Sequence, residues 1–529
     1  MTSEPGNHVS RAGAASRRQR VLQHLIAIRL QAPGVFACLA AASLLLPGCG
    51  RKETAPPPSP PPNPTPPQSR FQLVATNLQA EFNDLRKVAF EPDPAKRPLV
   101  LSERAANRRD WALRALERGY ALGGGTNNRW DSQVHAAFEA YADYSHGGDT
   151  EQHYAALTNA VWTALAAGSP EPMIRYMQVR YGVGTTNGWQ EYALDQLHAF
   201  LAVFGSQHHP LFKYIAGYRA ATTAHETDGM CDLSAAMGLV TAALQDLARD
   251  TNAPVEEVLD PAGLLLTGYG TIKGWPPFLL TNVQPILERN WGTREAYFRW
   301  RGLAEVASAW DARGYGAANT VSQAQWEGFR YHLEQAQTAL TTAWQMDPSN
   351  AYTAFLMMRV EMGQGQGRDR MEQWFQRAMT LATNYHDAAN LMAGYLEPRW
   401  YGSDKEALEF GRACVASTNW GGEVPLVLPN LHHSLARYHN STESPDYWHR
   451  PEVWEDVRSA YAKFFALNPE ASYYHHHYAR DAFLCGQYDV FLAQCKLLPA
   501  TNFYFFGGEA GLRGMLQLAA YHLGPGAGK

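Results

Sequence analysis

The chain has 529 residues and a formal net charge of −5, distributed as +4 over residues 1–48 and −9 over the rest. That acidic balance supplies no basic patch, which argues against binding nucleic acid or anionic lipid headgroups. Six cysteines are too few for a disulfide scaffold at this length, whereas 15 Trp and 26 Tyr provide rings for helix contacts and, secondarily, for grooves that take peptides or sugars.

At the N-terminus, Arg17, Arg18, Arg20 and Arg29 precede an apolar run from Val35 to Leu46, closed by Pro47, Gly48 and Cys49. A basic stretch, about a dozen apolar residues and small residues at the cut form a secretory signal. The run is too short to span ~30 Å of hydrocarbon at ~1.5 Å per residue. The Leu46-Pro47-Gly48-Cys49 ending resembles the lipobox of bacterial lipoproteins. The resemblance implies cleavage after residue 48, lipid on Cys49 and export to the cell envelope; Gly50, where Asp would retain the chain, implies the outer membrane. The alternative is an unlipidated signal-peptide boundary at Cys49.

Nine of the twelve positions from Pro56 to Pro67 are proline. Such a segment extends as polyproline II and would hold the folded part about 45 Å from the lipid. Residues 49–69 therefore read as lipidated cysteine plus spacer. From Phe71 onward apolar residues recur at helical spacing: Leu73, Leu78, Phe82 and Leu85; Trp111, Ala115, Leu116 and Tyr120; Val134, Phe138, Tyr141 and Tyr144; Leu194, Leu197, Leu201 and Phe204. Gly123-Gly124-Gly125 and Trp275-Pro276-Pro277 punctuate them. Runs of strand type are scarce, so the expected class is all-α. The Gly-rich segment from Asp260 to Pro277 reads as irregular, dividing an N-terminal helical region, 70–275, from a C-terminal one, 276–529.

The C-terminal region repeats. Ala343, Met346 and Leu356 recur 35 residues later as Ala378, Leu381 and Leu391, and Ala343, Met346, Asp347 and Pro348 recur at an offset of 121 as Phe464, Leu467, Asn468 and Pro469. This period resembles the tetratricopeptide repeat, a helix-turn-helix of ~34 residues, and implies an α-α solenoid or superhelix. In the last copy Ala479 is the small residue at the helix crossing and Gly486-Gln487-Tyr488 the turn. A wider resemblance covers about residues 291–434. It is carried by Phe298-Arg299-Trp300-Arg301-Gly302, Ala309-Trp310-Asp311-Ala312-Arg313-Gly314, Gly367 to Phe375, Tyr395 to Ser403 and Trp420-Gly421-Gly422-Glu423-Val424-Pro425-Leu426. These stretches resemble an uncharacterised bacterial domain family with tetratricopeptide-like helices; the resemblance implies a fold and no activity.

Candidate chemistry is sparse. His475, His476 and His477 are adjacent, so on a helix they point ~100° apart and lack ligand spacing. His432, His433, His439, His208 and His209 share that defect, and no metal or other cofactor is expected. Arg359 and Arg480 lie 121 residues apart, as do Tyr352 and Tyr473. These positions, with His476, are the candidate partner-binding residues, because first helices of such arrays line the concave groove and Arg offers a carboxylate a bidentate fork. Their alternative is an exposed Arg or one paired to a neighbouring acid. Asp311 and Arg313 read as a pair fixing a helix end, His135 and Glu139 as a hydrogen bond, and Ser403 with Glu406 as a capping box. Cys485 and Cys495 are either a disulfide or two buried thiols. No catalytic residue is assigned. The expected function is a membrane-tethered, non-catalytic scaffold for a protein or peptide partner; the alternative is a carbohydrate- or cell-wall-active protein with a carboxylate pair in an aromatic cleft.

Overall fold

The computed structural model of the protein describes residues 101–146, 151–181, 189–226, 233–267, 274–314, 316–442, 444–469, 471–498 and 503–524. The signal segment, Cys49, the proline-rich spacer, the Leu73 to Leu85 stripe and Cys231 lie outside the described residues. Among the described residues the regular structure is helical, with no strand. They form two compact units, one ending at Ala343 and one beginning at Trp344.

The first unit contains α1 (Leu101–Gly123), α2 (Asp131–His146), α3 (Glu151–Ala166), α4 (Pro172–Arg180), α5 (Trp189–Phe204), α6 (Pro210–Glu226) and α7 (Leu233–Arg249). It continues with α8 (Val255–Thr267), α9 (Trp275–Asn282), α10 (Gln284–Trp291), α11 (Glu295–Arg313) and most of α12 (Gln323–Met346). Each of α1 to α7 packs on the next, the arrangement that short connections between helices produce. The Val134, Phe138, Tyr141 and Tyr144 stripe is buried, as are Leu116 and Tyr120. The α5 stripe is corrected. Leu201 is 46% exposed, and the helix instead buries Ala199, Phe200 and Val203. Phe200 meets Gly217 of α6, where no Cβ holds the ring away, and that contact sets the rotation of α5.

The segment expected to be irregular is helical as far as Thr267. Pro261 lies inside α8. It removes one backbone donor, but Val258, Leu259, Ala262, Leu265 and Leu266 are buried around it, and burial of that size outweighs a single lost hydrogen bond. The helices on either side of residue 275 belong to one unit: α8 and α9 both pack on α11. Asp311 accepts from the Gly274 N–H at 2.9 Å. Arg313 turns elsewhere, stacking over Trp310 and Trp326 and donating to the carbonyls of Gly314 and Gly316. His135 meets Glu117 at 3.4 Å, across to α1, in place of the expected Glu139.

The second unit contains α13 (Ala351–Gln364), α14 (Arg368–Leu381), α15 (His386–Tyr395), α16 (Asp404–Ala416) and α17 (Val427–Tyr438). It ends with α18 (Pro445–Trp448), α19 (Pro451–Leu467), α20 (His475–Leu484), α21 (Tyr488–Lys496) and α22 (Glu509–Leu523). Local signals set these boundaries. The Asn350 side chain caps α13, accepting from the N–H groups of Tyr352 and Thr353. Ser403 accepts from the Glu406 N–H, as the N-cap of a capping box does, but the Glu406 carboxylate meets the Ser403 hydroxyl and not its backbone N–H. Gly486, at φ 71°, closes α20 in the left-handed region that glycine enters without penalty. Four helix pairs follow in order: α13 with α14, α15 with α16, α17 with α19, and α20 with α21. First helices also meet, α13 on α15 and α15 on α17, and so do the second helices α16 and α19. Cys414, Cys485 and Cys495 are free thiols.

Two buried carboxylates lock this order. Asp456 of α19 receives Arg412 of α16 through two nitrogens and lies 3.1 Å from His432 Nε2 of α17, whose Nδ1 meets the Tyr447 hydroxyl of α18. Asp481 of α20 meets His433 Nε2 of α17 at 2.7 Å and accepts from the Tyr461 hydroxyl of α19 at 2.8 Å. Small residues allow the backbones to approach. A Cβ on Gly411 of α16 would stand 2.8 Å from Leu428 Cδ1 of α17. Gly411→Val should therefore cost about 1–3 kcal/mol through overpacking. Asp456→Ala, which strips His432 and Arg412 of their acceptor, should cost about 3 kcal/mol. Both effects would be read as a lowered thermal midpoint, with helix content at about 20 °C, well below the transition, unchanged by circular dichroism.

Candidate functional site

The loops that enter the first helices of the second unit place a row of polar and aromatic groups across successive pairs. On α13, Tyr352 stacks on Phe355. Phe355 in turn meets Tyr385, the residue preceding α15, with centroids 5.4 Å apart. Burial pushes the Tyr385 hydroxyl well up; Tyr352 and Asp387 add to the shift and Arg359 opposes it. Arg359 therefore acts on the same ring as Tyr352, and both are half-buried.

Next in the row stand His386 and Asp387, in the first turn of α15, and Glu423, in the loop before α17. His386 Nδ1 lies 3.5 Å from Glu423 Oε2, and the Asn390 amide nitrogen lies 2.9 Å from His386 Nε2. Burial drives the His386 imidazole down, against the pull of Glu423. Burial, helped by the negative charge of Glu423, pushes the Asp387 carboxyl up to about 7. A carboxyl so placed is half-protonated near neutrality and can donate a hydrogen bond as well as accept one. The loop is held in place by the Gly421 N–H on the Thr383 carbonyl and by the Asn468 amide on the Gly422 carbonyl. Tyr474 precedes α20, and burial together with the negative charge of Glu423 raises its hydroxyl.

At the end of the row, α20 points its three histidines in three directions. His475 stacks on Phe465 and reaches Gln494 at 2.6 Å. His476 is 1% exposed, with Nδ1 3.0 Å from the Tyr473 carbonyl oxygen. It does not face solvent as a partner-binding residue would. His477 stacks on Tyr474. Burial takes its imidazole down to about 4, against the pull of Asp481 and with help from His433, His476 and Arg480. For Asp481, burial acts upward, but His433 and Tyr461 outweigh it and hold the carboxyl below its usual range.

Of the residues expected from sequence, Tyr352 and Arg359 come together at one end of the row and Tyr473, His476 and Arg480 at the other, with α15 and α17 between them in the packing order. Cys49 lies outside the described residues. Sequence reasoning missed Tyr385, His386, Asp387, Glu423 and Tyr474 as site residues. A signal was available: Asn384-Tyr385-His386-Asp387 occupies the register of Ser349-Asn350-Ala351-Tyr352, so the same loop position carries the row. No protein-family model matches the chain, and no curated protein matches it.

His477 and Asp387 give stability opposite pH dependences. The imidazole has a folded value of about 4 against about 6.5 unfolded. Its contribution is therefore complete above ~6.5 and is lost as pH falls towards ~4. The carboxyl has a folded value of about 7 against about 3.9 unfolded. Its contribution is complete below ~4 and is lost as pH rises to ~7. Each slope reaches at most about 1.4 kcal/mol per pH unit. Thermal midpoints measured across this range should rise more steeply with pH in Asp387→Asn than in the parent chain, and less steeply in His477→Gln.

Proposed function

We propose that the second unit is a tetratricopeptide-like solenoid whose first helices form a groove for an extended segment of a protein partner, and that the chain is a non-catalytic scaffold tethered to the cell envelope by lipid on Cys49. The observation that carries this reading is the series in which Tyr352 stacks on Phe355, Phe355 meets Tyr385 and His386 lies 3.5 Å from Glu423, built by the loops that enter successive helix pairs. An extended peptide presents groups at regular intervals, and a groove assembled from repeats answers them at regular intervals. Arg359 and Arg480 would supply the fixed positive charge beside the row, suited to a partner's carboxylates. Export rests on the basic, apolar and small-residue order before Cys49. The 291–434 resemblance agrees with the helical fold and adds no chemistry.

One observation favours action on a carbohydrate as a second reading. Burial and the negative charge of Glu423 push Asp387 up to about 7, and His386, its neighbour in the chain, lies 3.5 Å from Glu423. A raised carboxyl next to a second carboxylate is the division of labour that glycoside hydrolysis uses.

The discriminating experiment is capture from envelope extract by the full-length chain in mild detergent. The scaffold reading expects a dominant protein partner that survives moderate salt, with retention reduced at least tenfold by Arg359→Ala/Arg480→Ala, a pair of charge-assisted contacts being worth about 1.5–3 kcal/mol each. Full retention by the double variant removes those residues from the site. Capture of glycan without protein supports the second reading, and Asp387→Asn should then abolish its hydrolysis. For the anchor, Cys49→Ser should move the chain from the detergent phase to the aqueous phase in a Triton X-114 partition; continued detergent partitioning would rule out lipid on Cys49.

A further inference from the structure

In the second unit α22 follows the last of the four helix pairs. It packs on α21 and on the 3₁₀ turn Phe503–Phe506 that precedes it. Leu512, Met515 and Leu516 face this core, and Ala519 is fully buried in it. The opposite stripe of the helix is Gly514, Leu518 and Tyr521, at i, i+4 and i+7. Leu518 is 43% exposed and Tyr521 81%. A Cβ on Gly514 would meet nothing within 4 Å. Elsewhere among the described residues exposed large apolar side chains stand one or two to a helix, whereas α22 carries Leu518, Tyr521 and Leu523. Single exposed apolar residues are ordinary, but a stripe of them along one helix marks a contact surface.

Residues 71–85, outside the described residues, match α22 in length, 15 residues each, and in pattern. Leu78, Phe82 and Leu85 repeat the spacing of Gly514, Leu518 and Tyr521, and Phe71 and Val74 extend the stripe by two turns. On a helix the opposite side takes Gln72, Thr76, Asn83 and Lys87. A helix of this length is marginal in water by itself and gains its stability from packing an apolar face. The two stripes are complementary in size. Large side chains line one, and the glycine in the other lets a second helix come close.

We infer that residues 71–85 form a helix that lies along α22, covers Gly514, Leu518 and Tyr521, and closes the second unit. The occupant of the face is a segment of the same chain. Its docking takes apolar area out of water on two helices at once. A helical stack needs a terminal element with a polar outer face, which the side bearing Thr76, Asn83 and Lys87 supplies. The spacer of residues 49–69 then leaves the second unit beside α22, at the opposite end of the packing order from α13. This inference goes beyond the groove reading and does not depend on it.

The test is photo-cross-linking in the full-length chain in mild detergent. Leu518 is replaced by p-benzoylphenylalanine, which links to whatever lies against it, and the linked peptides are mapped by mass spectrometry. Trp162, exposed on α3, is replaced in the same way as a control. The expected target of position 518 is residues 71–85 of the same chain, with no such link from position 162. Phe82→Asp should weaken the link about tenfold, since a buried ring is worth at least that factor. Thermal midpoints give an independent readout. Phe82→Asp and Tyr521→Asp should each lower the midpoint by about 3 °C or more, and the double variant should lower it no further than the larger single effect. Links from position 518 that join two chains, detected by mixing isotopically light and heavy protein, give the face to a second copy and overturn the inference. So does a link pattern shared with position 162, or a Tyr521→Asp midpoint equal to that of the parent chain.

Discussion

The second unit depends on the requirement that a carboxylate taken out of water be matched by donors. Asp456 and Asp481 are both buried, and each is served from helices other than its own. His432 and His433, adjacent on α17, reach in opposite directions to the two of them. One helix is thereby tied to α19 and α20 at once, while Arg412 and Tyr461 bring in α16 and close the remaining valences. A slip of α17 by one residue would bring Leu431 or Ser434 to the place of one imidazole and leave a buried charge short of a donor, a penalty of several kcal/mol. The position of α17 sets where Glu423 enters the row, because that residue lies in the loop before it.

The same device appears in the first unit with other partners. His208 and Glu171 form a buried pair, His209 meets Asp250, and His146 shares Glu257 with Arg108. Histidines that look like candidate ligands in the sequence are in these places the donors that let carboxylates be buried between helices. The row in the second unit differs in that its carboxyls are incompletely neutralised. The charge that acts on Asp387 is the carboxylate of Glu423 and not a cation, and Glu423 has a half-buried imidazole at 3.5 Å. Incompletely matched polar groups at one edge of a repeat array leave bonding capacity for another molecule, the physical basis of the groove reading.

The row is also physically asymmetric. At the α13 end Tyr352, Tyr385 and Arg359 are half-buried; at the α20 end Phe505 lies on Tyr473, His476 and His477. A stack of helix pairs exposes the outer face of its last pair unless something covers it. Here α22 covers α21, while the 503–506 turn reaches α20. The turn and α22 together cover the last helix pair.

Much of the helical architecture was legible from residues alone, because helix periodicity, caps and turns are local. The Val134 to Tyr144 stripe, the Asn350 and Ser403 caps, the Gly486 turn and Ala479 at a crossing each depend on neighbours within a few positions. Local pattern failed where a distant surface decided. Leu201 looked apolar enough to face inward, but Gly217 of the next helix admitted Phe200 and turned α5. Pro261 and its glycine neighbour looked like a break, but burial kept α8 intact. The candidate site divided in the same way. The repeat offset brought out Tyr352, Arg359, Tyr473 and Arg480, since spacing is written in the sequence. Asp387, Glu423 and Tyr474 are far apart in the chain and became neighbours only when loops of successive pairs stacked. The burial of His476 was decided by Phe505 and Phe506, about thirty positions away. By itself the sequence determined the helical class and many helix ends; pairing of charges, rotation of faces and the burial of His476 were left to tertiary structure, because each depends on which distant surface removes water from a given side chain.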